Sequence, residues 1–243
     1  MLNGRSLTMI VNMVHNVYLN MHPITSSINS MLEHVIVSSI LKHLDAHQIL
    51  TDCQHGFRAR RSCETQLLTL AHELLSSLDV GYQHDLIILD FSKVFDRVPH
   101  ERLLKKLDHY GIRDSTHGWI KAFLSNRTQQ VIVEGATSDT VPVISGVPQG
   151  TVIGPLLFLI FINDLPNCVQ SRIRLFADDC ILYRKIRSIK DTIILQDDLN
   201  KLAFRFVLFR FGKFRCVSFH FVPFWYISFR VSFRILQVPL INW

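Results

Sequence analysis

Three aspartates occupy positions where residue type and spacing could carry chemistry. Asp90 closes Leu86–Leu89, a short continuous apolar run with the pattern of a strand buried on both faces. Asp178 and Asp179 are adjacent, between two segments, Arg172–Ala177 and Cys180–Lys185, that read as strands. Side chains alternate along a strand, so neighbouring acids diverge unless a tight turn lets both approach one site. Adjacent carboxylates repel, and burial raises their pKa values unless a cation neutralises them. A hard divalent ion with oxygen ligands, Mg²⁺ or Mn²⁺, is the natural partner. Two such ions about 4 Å apart stabilise the attacking and leaving oxygens of an in-line phosphoryl displacement. An isolated Asp-Asp turn is more often a solvated hairpin, so the surrounding residues decide.

The elements that must position these acids follow from periodicity. Ser30–Leu44 places Leu32, Val35, Ile36, Ile40 and Leu44 on one helical stripe. Gln54–Cys63 is polar and Arg-rich, with Gly56 as a turn point. Glu64–Leu78 is a second amphipathic helix, on Leu67, Ala71, Leu74 and Leu78 with Leu68 and Leu75 beside them. Pro99 opens a helix through Leu107, since proline suits a first turn, and Gly111 suits its end. Thr128–Glu134 and Thr140–Ile144 flank Gly135 as a hairpin. Ser145–Gly154 is a Gly/Pro loop before an apolar helix from Pro155 to about Asp164. Ile189–Leu202 is helical, aligning Thr192, Leu195, Leu199 and Leu202. Helices alternate with short, partly antiparallel strands, so the fold class is α+β.

Composition narrows the class. The chain has 243 residues, 48% hydrophobic and 19% charged, which excludes a largely disordered polypeptide. The net charge of +6 resembles that of a nucleic-acid binder, but it is unevenly placed. Residues 203–243 hold six of the 26 basic residues, none of the 20 acids and 10 of the 17 Phe, which leaves residues 1–202 neutral. This tail has no steady period of 2 or 3.6. It reads either as the product of a shifted frame or foreign exon, or as a basic aromatic arm that stacks on single-stranded nucleic acid. Cys53, Cys63, Cys168, Cys180 and Cys216 are scattered and lack zinc spacing, which suits free thiols in a reducing compartment. No signal peptide or membrane span is expected: the longest clean apolar run, Leu156–Ile162, is far below spanning length.

Four blocks, in order, carry a resemblance to the reverse transcriptase domain of non-LTR (LINE-type) retrotransposons. The first is Gln54-His55-Gly56-Phe57-Arg58-Ala59-Arg60-Arg61-Ser62, similar to a block in the family's fingers. The second runs from Leu89-Asp90-Phe91-Ser92-Lys93-Val94-Phe95-Asp96 to Arg97-Val98-Pro99-His100 and resembles the first palm motif. The third is Ser145-Gly146-Val147-Pro148-Gln149-Gly150, continuing through Gly154-Pro155-Leu156-Leu157-Phe158 to Asn163-Asp164-Leu165-Pro166. The fourth is Phe176-Ala177-Asp178-Asp179, similar to the paired-aspartate motif. The match spans about residues 20–202.

The resemblance implies a right-hand polymerase with fingers and a ferredoxin-like palm, the thumb missing. It divides the chain into a poorly matched segment 1–19, a fingers/palm domain 20–202 and an aberrant tail 203–243. It implies RNA-directed DNA polymerase activity with an RNA template, a DNA primer, deoxynucleoside triphosphates and two Mg²⁺ or Mn²⁺ ions. Asp90, Asp178 and Asp179 are the implied catalytic, metal-holding residues, with the Phe91 carbonyl as a further ligand. Phe95 is the implied bulky residue under the nucleotide sugar, excluding a 2′-hydroxyl. Gln149 and Gly150 line the nucleotide and template side, glycines 146 and 150 letting the backbone approach a ligand. Arg58 and Arg61 meet template or triphosphate, which guanidinium suits. The implied location is intracellular, in nucleus and cytoplasm, with neither a membrane nor a stable protein partner.

Departures from the family pattern matter too. His22 stands where an arginine is usual, Cys63 where a threonine is, and Val94 where a small alanine is. The match stops after Gln196-Asp197-Asp198-Leu199-Asn200-Lys201-Leu202, with no counterpart of the later palm strands or primer-holding turn. Three functional readings follow: an active polymerase, a decayed and inactive copy with at most weak nucleic-acid binding, and a host-adopted RNA-binding module.

Overall fold

A computed structural model of the chain describes residues 26–91, 94–134, 136–207 and 214–220. The expected segment 1–19 and His22 lie outside these residues, as does most of the Phe-rich tail. The chain divides into two compact units, one from residues 1–50 and 95–161, the other from 51–94 and 162–243.

The first unit is mainly helical. Helix α1 is Ser26–Ala46, α3 is His100–His109, α4 is Asp114–Leu124 and α5 is Ile153–Ile162, the last residue of α5 lying just past the unit's boundary. On α1 the stripe Ile36, Ile40 and Leu44 is buried as the spacing predicts, but Val35 is exposed and Glu33 is buried instead. Glu33 has a reason to be inside. Its Oε2 accepts hydrogen bonds from the backbone N–H of Val152 at 2.7 Å and of Ile153 at 3.1 Å, at the start of α5. At the other end of that helix the Lys106 ammonium donates to the Phe161 carbonyl. A carboxylate at the N-terminus and an ammonium at the C-terminus both complement the helix dipole. Between them Ile153 and Leu156–Ile162 are all buried, the pattern of a helix hydrophobic on every side. Helix α5 starts two residues before Pro155, which sits in its first turn.

Helix α4 was not expected from the sequence. Gly118 and the Ser-Thr-His run before it are weak helix formers, so local propensity understates the element. Burial of Trp119, Ile120, Phe123 and Leu124 supplies what propensity lacks. The segment around Gly135 contains two short pairs, β2 (Thr128–Gln129) with β5 (Val141–Pro142) and β3 (Ile132–Val133) with β4 (Ala136–Thr137).

The second unit is a four-stranded antiparallel sheet with helices α2 (Cys63–Leu78) and α6 (Ile189–Val207). Its strands are β1 (Gln83–Phe91), β6 (Arg172–Phe176), β7 (Asp179–Ile186) and β8 (Phe214–His220), in the order β6-β7-β1-β8. Strand β8 lies in the tail, where the sequence suggested no palm strand. It pairs with β1 through the backbone, and a ladder of that kind needs no side-chain period to announce it. Leu70, Leu86 and Tyr183 form a core on one face of the sheet, with Leu74 and Ile181 packed against them.

Helix α2 turns a different face inward from the one its leucines predict. Gln66 and Leu70 are buried, whereas Leu67, Leu68 and Leu75 are 53%, 70% and 59% exposed. The cause is polar. The Gln66 Nε2 donates to the carbonyls of Cys53 and Leu175, both at 2.9 Å. Glu73 pairs with Arg172 at 2.7 Å and Arg174 at 2.5 Å, and accepts from the Tyr183 hydroxyl. Burial alone would raise the Glu73 pKa, but these hydrogen bonds and charges lower it. Asp198 of α6 is fully buried and accepts from the N–H groups of Gln170 at 2.9 Å and Ser171 at 2.7 Å. Among the described residues no helix is long and apolar enough to cross a membrane.

Candidate active site

The last ladder pair of the β6–β7 hairpin is Phe176 with Asp179. The turn is therefore Ala177-Asp178, and Asp179 is already the first residue of β7, so the break between the strands comes one position earlier than the sequence placed it. On the other side of β7, Asp179 is paired in register with Asp90 of β1. Directly opposed residues in an antiparallel ladder have Cα atoms roughly 5 Å apart. So Asp90, Asp178 and Asp179 reach the same end of two adjacent strands. Asp178 is half-buried and Asp179 is exposed. Phe91 ends β1, opposite Phe214 of β8.

Two-residue hairpin turns need a backbone that L side chains adopt reluctantly. Ala177 sits at φ +52°, in the left-handed region. A Cβ there costs about 1–2 kcal/mol. The first sequence block surrounds this turn. Gln54 is 3% exposed. Its Oε1 accepts from the N–H of Ala177 at 3.0 Å and of Gly56 at 2.7 Å, while its Nε2 donates to the Ala177 carbonyl at 3.1 Å. Gly56 packs so tightly that a Cβ would lie 2.2 Å from the Ala177 nitrogen. The N–H of His55 donates to the Leu175 carbonyl at 3.0 Å, and the N–H of Leu175 donates to the Cys53 carbonyl at 2.9 Å. Residues 53–55 thus cover the outer edge of β6. His55 also meets the Thr65 hydroxyl at 3.0 Å, and burial together with the nearby Arg61 charge lowers its pKa.

Two of the three arginines of that block, Arg58 and Arg61, hold their own loop. Arg58 donates to the Thr51 carbonyl at 2.9 Å. Arg61 donates to the Asp52 carbonyl at 2.7 Å and pairs with the Asp52 carboxylate at 2.5 Å.

In the first unit, the Ser145–Gly150 loop is bonded to the turn after β1. Gly146 N–H donates to Val98 O at 2.8 Å, and Val147 N–H to Phe95 O at 2.7 Å. The Gln149 Nε2 donates to an Asp96 carboxylate oxygen at 3.2 Å. The Phe95 ring stacks on Phe158 of α5 with centroids 4.1 Å apart. Gly146 has φ +92°, and a Cβ on it would lie 2.6 Å from the Asp96 carbonyl oxygen. The close approach that this glycine permits is to its own chain. Gly150, at φ +79°, has open space around it.

Residues 20–206 match the family model described as reverse transcriptase (RNA-dependent DNA polymerase). The chain belongs to this family. Relatives in Drosophila melanogaster are mobile-element proteins, in keeping with the non-LTR resemblance. The chain is 32% identical over 186 residues to a probable RNA-directed DNA polymerase from transposon X-element, covering 74% of this chain and 20% of that protein. It is 30% identical over 171 residues to the RNA-directed DNA polymerase from mobile element jockey, covering 67% of this chain and 19% of that protein. The chain therefore spans about one fifth of these relatives. Among solved structures, apo telomerase from Candida tropicalis, truncated from the C-terminal domain, superposes with a TM-score of 0.56 at 14% identity. That match covers 82% of this chain and 42% of the other, and shows the reverse transcriptase fold.

Several residues described above were assigned no catalytic or binding role from the sequence. Gln54, Gly56 and Asp96 lie inside the quoted blocks, yet nothing in one sequence says that a buried amide will meet a turn 123 residues away. The signal available was the type: a polar, uncharged residue two positions before a glycine, inside a motif otherwise rich in cations.

Proposed function

We propose that the chain is an RNA-directed DNA polymerase domain, joining a primer 3′-hydroxyl to a deoxynucleoside triphosphate on an RNA template. The observation that carries this reading is the register: Asp90 opposite Asp179, with Asp178 in the adjoining two-residue turn. The sheet order β8-β1-β7-β6 supports a ferredoxin-like palm, and the Gln54–Ser62 block is read as part of the fingers.

Carboxylate oxygens alone make up the side-chain donor set, which fits a hard divalent ion, Mg²⁺ or Mn²⁺. Asp90, Asp178 and Asp179, with the Phe91 carbonyl, would hold two ions. Such ions, when bound, offset the charge that develops on the attacking and leaving oxygens. The chain's own residues orient the reactants. Phe95, backed by Phe158, excludes a 2′-hydroxyl by contact and selects deoxynucleotides. Gln149 and Gly150 line the nucleotide and template side, and Gln149 is aimed by Asp96. Arg58 and Arg61 exchange their loop partners for phosphate oxygens of template or triphosphate. The primer O3′ bonds to the α-phosphorus as its bond to the bridging oxygen breaks. Pyrophosphate leaves, and the hydroxyl proton passes to solvent.

A second reading is a decayed copy with at most weak nucleic-acid binding. It is favoured by the acid-free, Phe-rich tail 203–243, near whose start, at residue 206, the family match ends. In this reading 20–202 remains the fingers/palm domain and 203–243 an aberrant tail. Primer extension on an RNA template in Mg²⁺ tests both. Robust extension that disappears in Asp178→Asn establishes the polymerase. A folded chain inert in Mg²⁺ and Mn²⁺ leaves the decayed copy.

A further inference from the structure

We propose that Gln54 is a positioning residue for the catalytic turn, and that Gly56 is the space that lets it act. The inference rests on the polymerase reading for its consequence, but its physical content is local. The Gln54 carboxamide meets both hydrogen-bonding groups of a single residue, Ala177, accepting at 3.0 Å and donating at 3.1 Å. An amide side chain has an acceptor and a donor at the right separation to do this at neutral pH, where a carboxylate offers acceptors alone. Ala177 is the residue at positive φ, immediately before Asp178. A backbone held in a sparsely populated region persists only where the surroundings over-determine it. Gln54 over-determines Ala177 from outside the hairpin, and so sets the direction in which the chain enters Asp178.

The amide is itself held. Its oxygen also accepts from the Gly56 N–H at 2.7 Å, which orients the carboxamide and distinguishes its oxygen from its nitrogen. A side chain at position 56 would push directly into the Ala177 nitrogen, 2.2 Å from the ideal Cβ. The Gln-His-Gly run is therefore a buttress for the aspartate turn, separate from the contacts of the arginines that follow it. Gln66 offers an internal comparison. It is buried and bonds the same segment at Cys53 and Leu175, but not the turn.

The experiment uses the full chain and Mn²⁺ as the probe. Amide hydrogen exchange is followed at Ala177, and Mn²⁺ affinity by calorimetry, in Gln54→Ala, Gln54→Glu, Gln66→Ala and the double variant Gln54→Ala with Ala177→Gly. Thermal melts confirm that each variant is folded. Gln54→Ala should speed exchange at Ala177 and weaken Mn²⁺ binding about ten-fold. Gln54→Glu, which at neutral pH accepts but cannot donate, should fall between. Gln66→Ala should lower the melting temperature and leave Mn²⁺ affinity unchanged. Glycine adopts positive φ freely, so Ala177→Gly should restore most of the affinity lost in Gln54→Ala. Unchanged exchange at Ala177 in folded Gln54→Ala overturns the proposal. So does a loss of affinity that Ala177→Gly fails to rescue, since that is the mark of a merely structural role. If Mn²⁺ binding by the parent chain is insensitive to Asp178→Asn, the polymerase reading fails; the exchange result still decides whether Gln54 holds the turn.

Discussion

Two of the turns built on an uncommon left-handed backbone are supported in opposite ways. In the β6–β7 hairpin Ala177 has φ +52°, and in the arm between Thr128 and Pro142 Glu134 has φ +50°. The arm's residues are exposed, with Val131, Ile132 and Val133 each above 60%. Its bonds come from the arm itself, as between Val131 N–H and the Ser138 hydroxyl at 3.0 Å and between Gln130 and Thr140 at 2.6 Å. The Ala177 turn is instead gripped by Gln54, 123 residues away in sequence, on an edge covered by residues 53–55. A left-handed residue alone therefore does not mark a site. What distinguishes the aspartate turn is that a distant polar side chain holds it.

That contrast can be broken or sharpened by measurement. The largest effect belongs to Asp178→Asn, which removes from the turn the charge proposed to hold a metal ion. Primer extension should fall by at least roughly a hundred-fold, whereas Asp139→Asn in the arm should leave it unchanged. Equal losses in both would dissolve the distinction. Next is Gly56→Ala, which forces a Cβ against the Ala177 backbone. Urea unfolding should show a loss of about 1–3 kcal/mol. A stability equal to that of the parent would mean that the grip is loose.

A third test uses pH. Burial and the charges of Lys185 and Arg172 lower the pKa of His84 on β1, and burial with Arg61 lowers that of His55. Their folded values lie below about 6.5, the unfolded value. The unfolded chain therefore takes up protons first as pH falls. Their contribution to stability is complete above that value and is lost through the folded pKa values below it. Amides of β1 and of residues 53–55 should lose protection between pH 7 and 5, after correction for intrinsic exchange. Arm amides should not. A uniform loss in both regions would refute the local origin. The smallest effect is Ile132→Thr on the exposed arm, expected within about 0.5 kcal/mol in urea unfolding. A larger loss would show the arm to be covered.

Much of this was legible beforehand. The apolar run ending at Asp90 and the α5 segment are local patterns, because burial on all sides leaves a continuous hydrophobic signature, while β6 and β7 are legible as short strands bounding the acid pair. Where the structure departs from the pattern, a polar residue has usually been drawn inside. Glu33 displaced Val35 to cap α5, and Gln66 and Glu73 rotated α2 away from its leucines. Periodicity counts apolar residues and has no term for a buried carboxylate or amide with partners elsewhere. Helix α4 and strand β8 escaped for a related reason, since tertiary burial and a backbone ladder specify them more than propensity does.

The sequence by itself determined the chemistry available: three aspartates at the ends of apolar segments, in blocks that resemble a reverse transcriptase. Only the tertiary structure decided that Asp90 lies opposite Asp179, that the turn is Ala177-Asp178, and that Gln54 holds it. The physical reason is range. Residue type and local period are properties of neighbours along the chain. Register and a two-point hydrogen bond across 123 residues exist only once the sheet has closed.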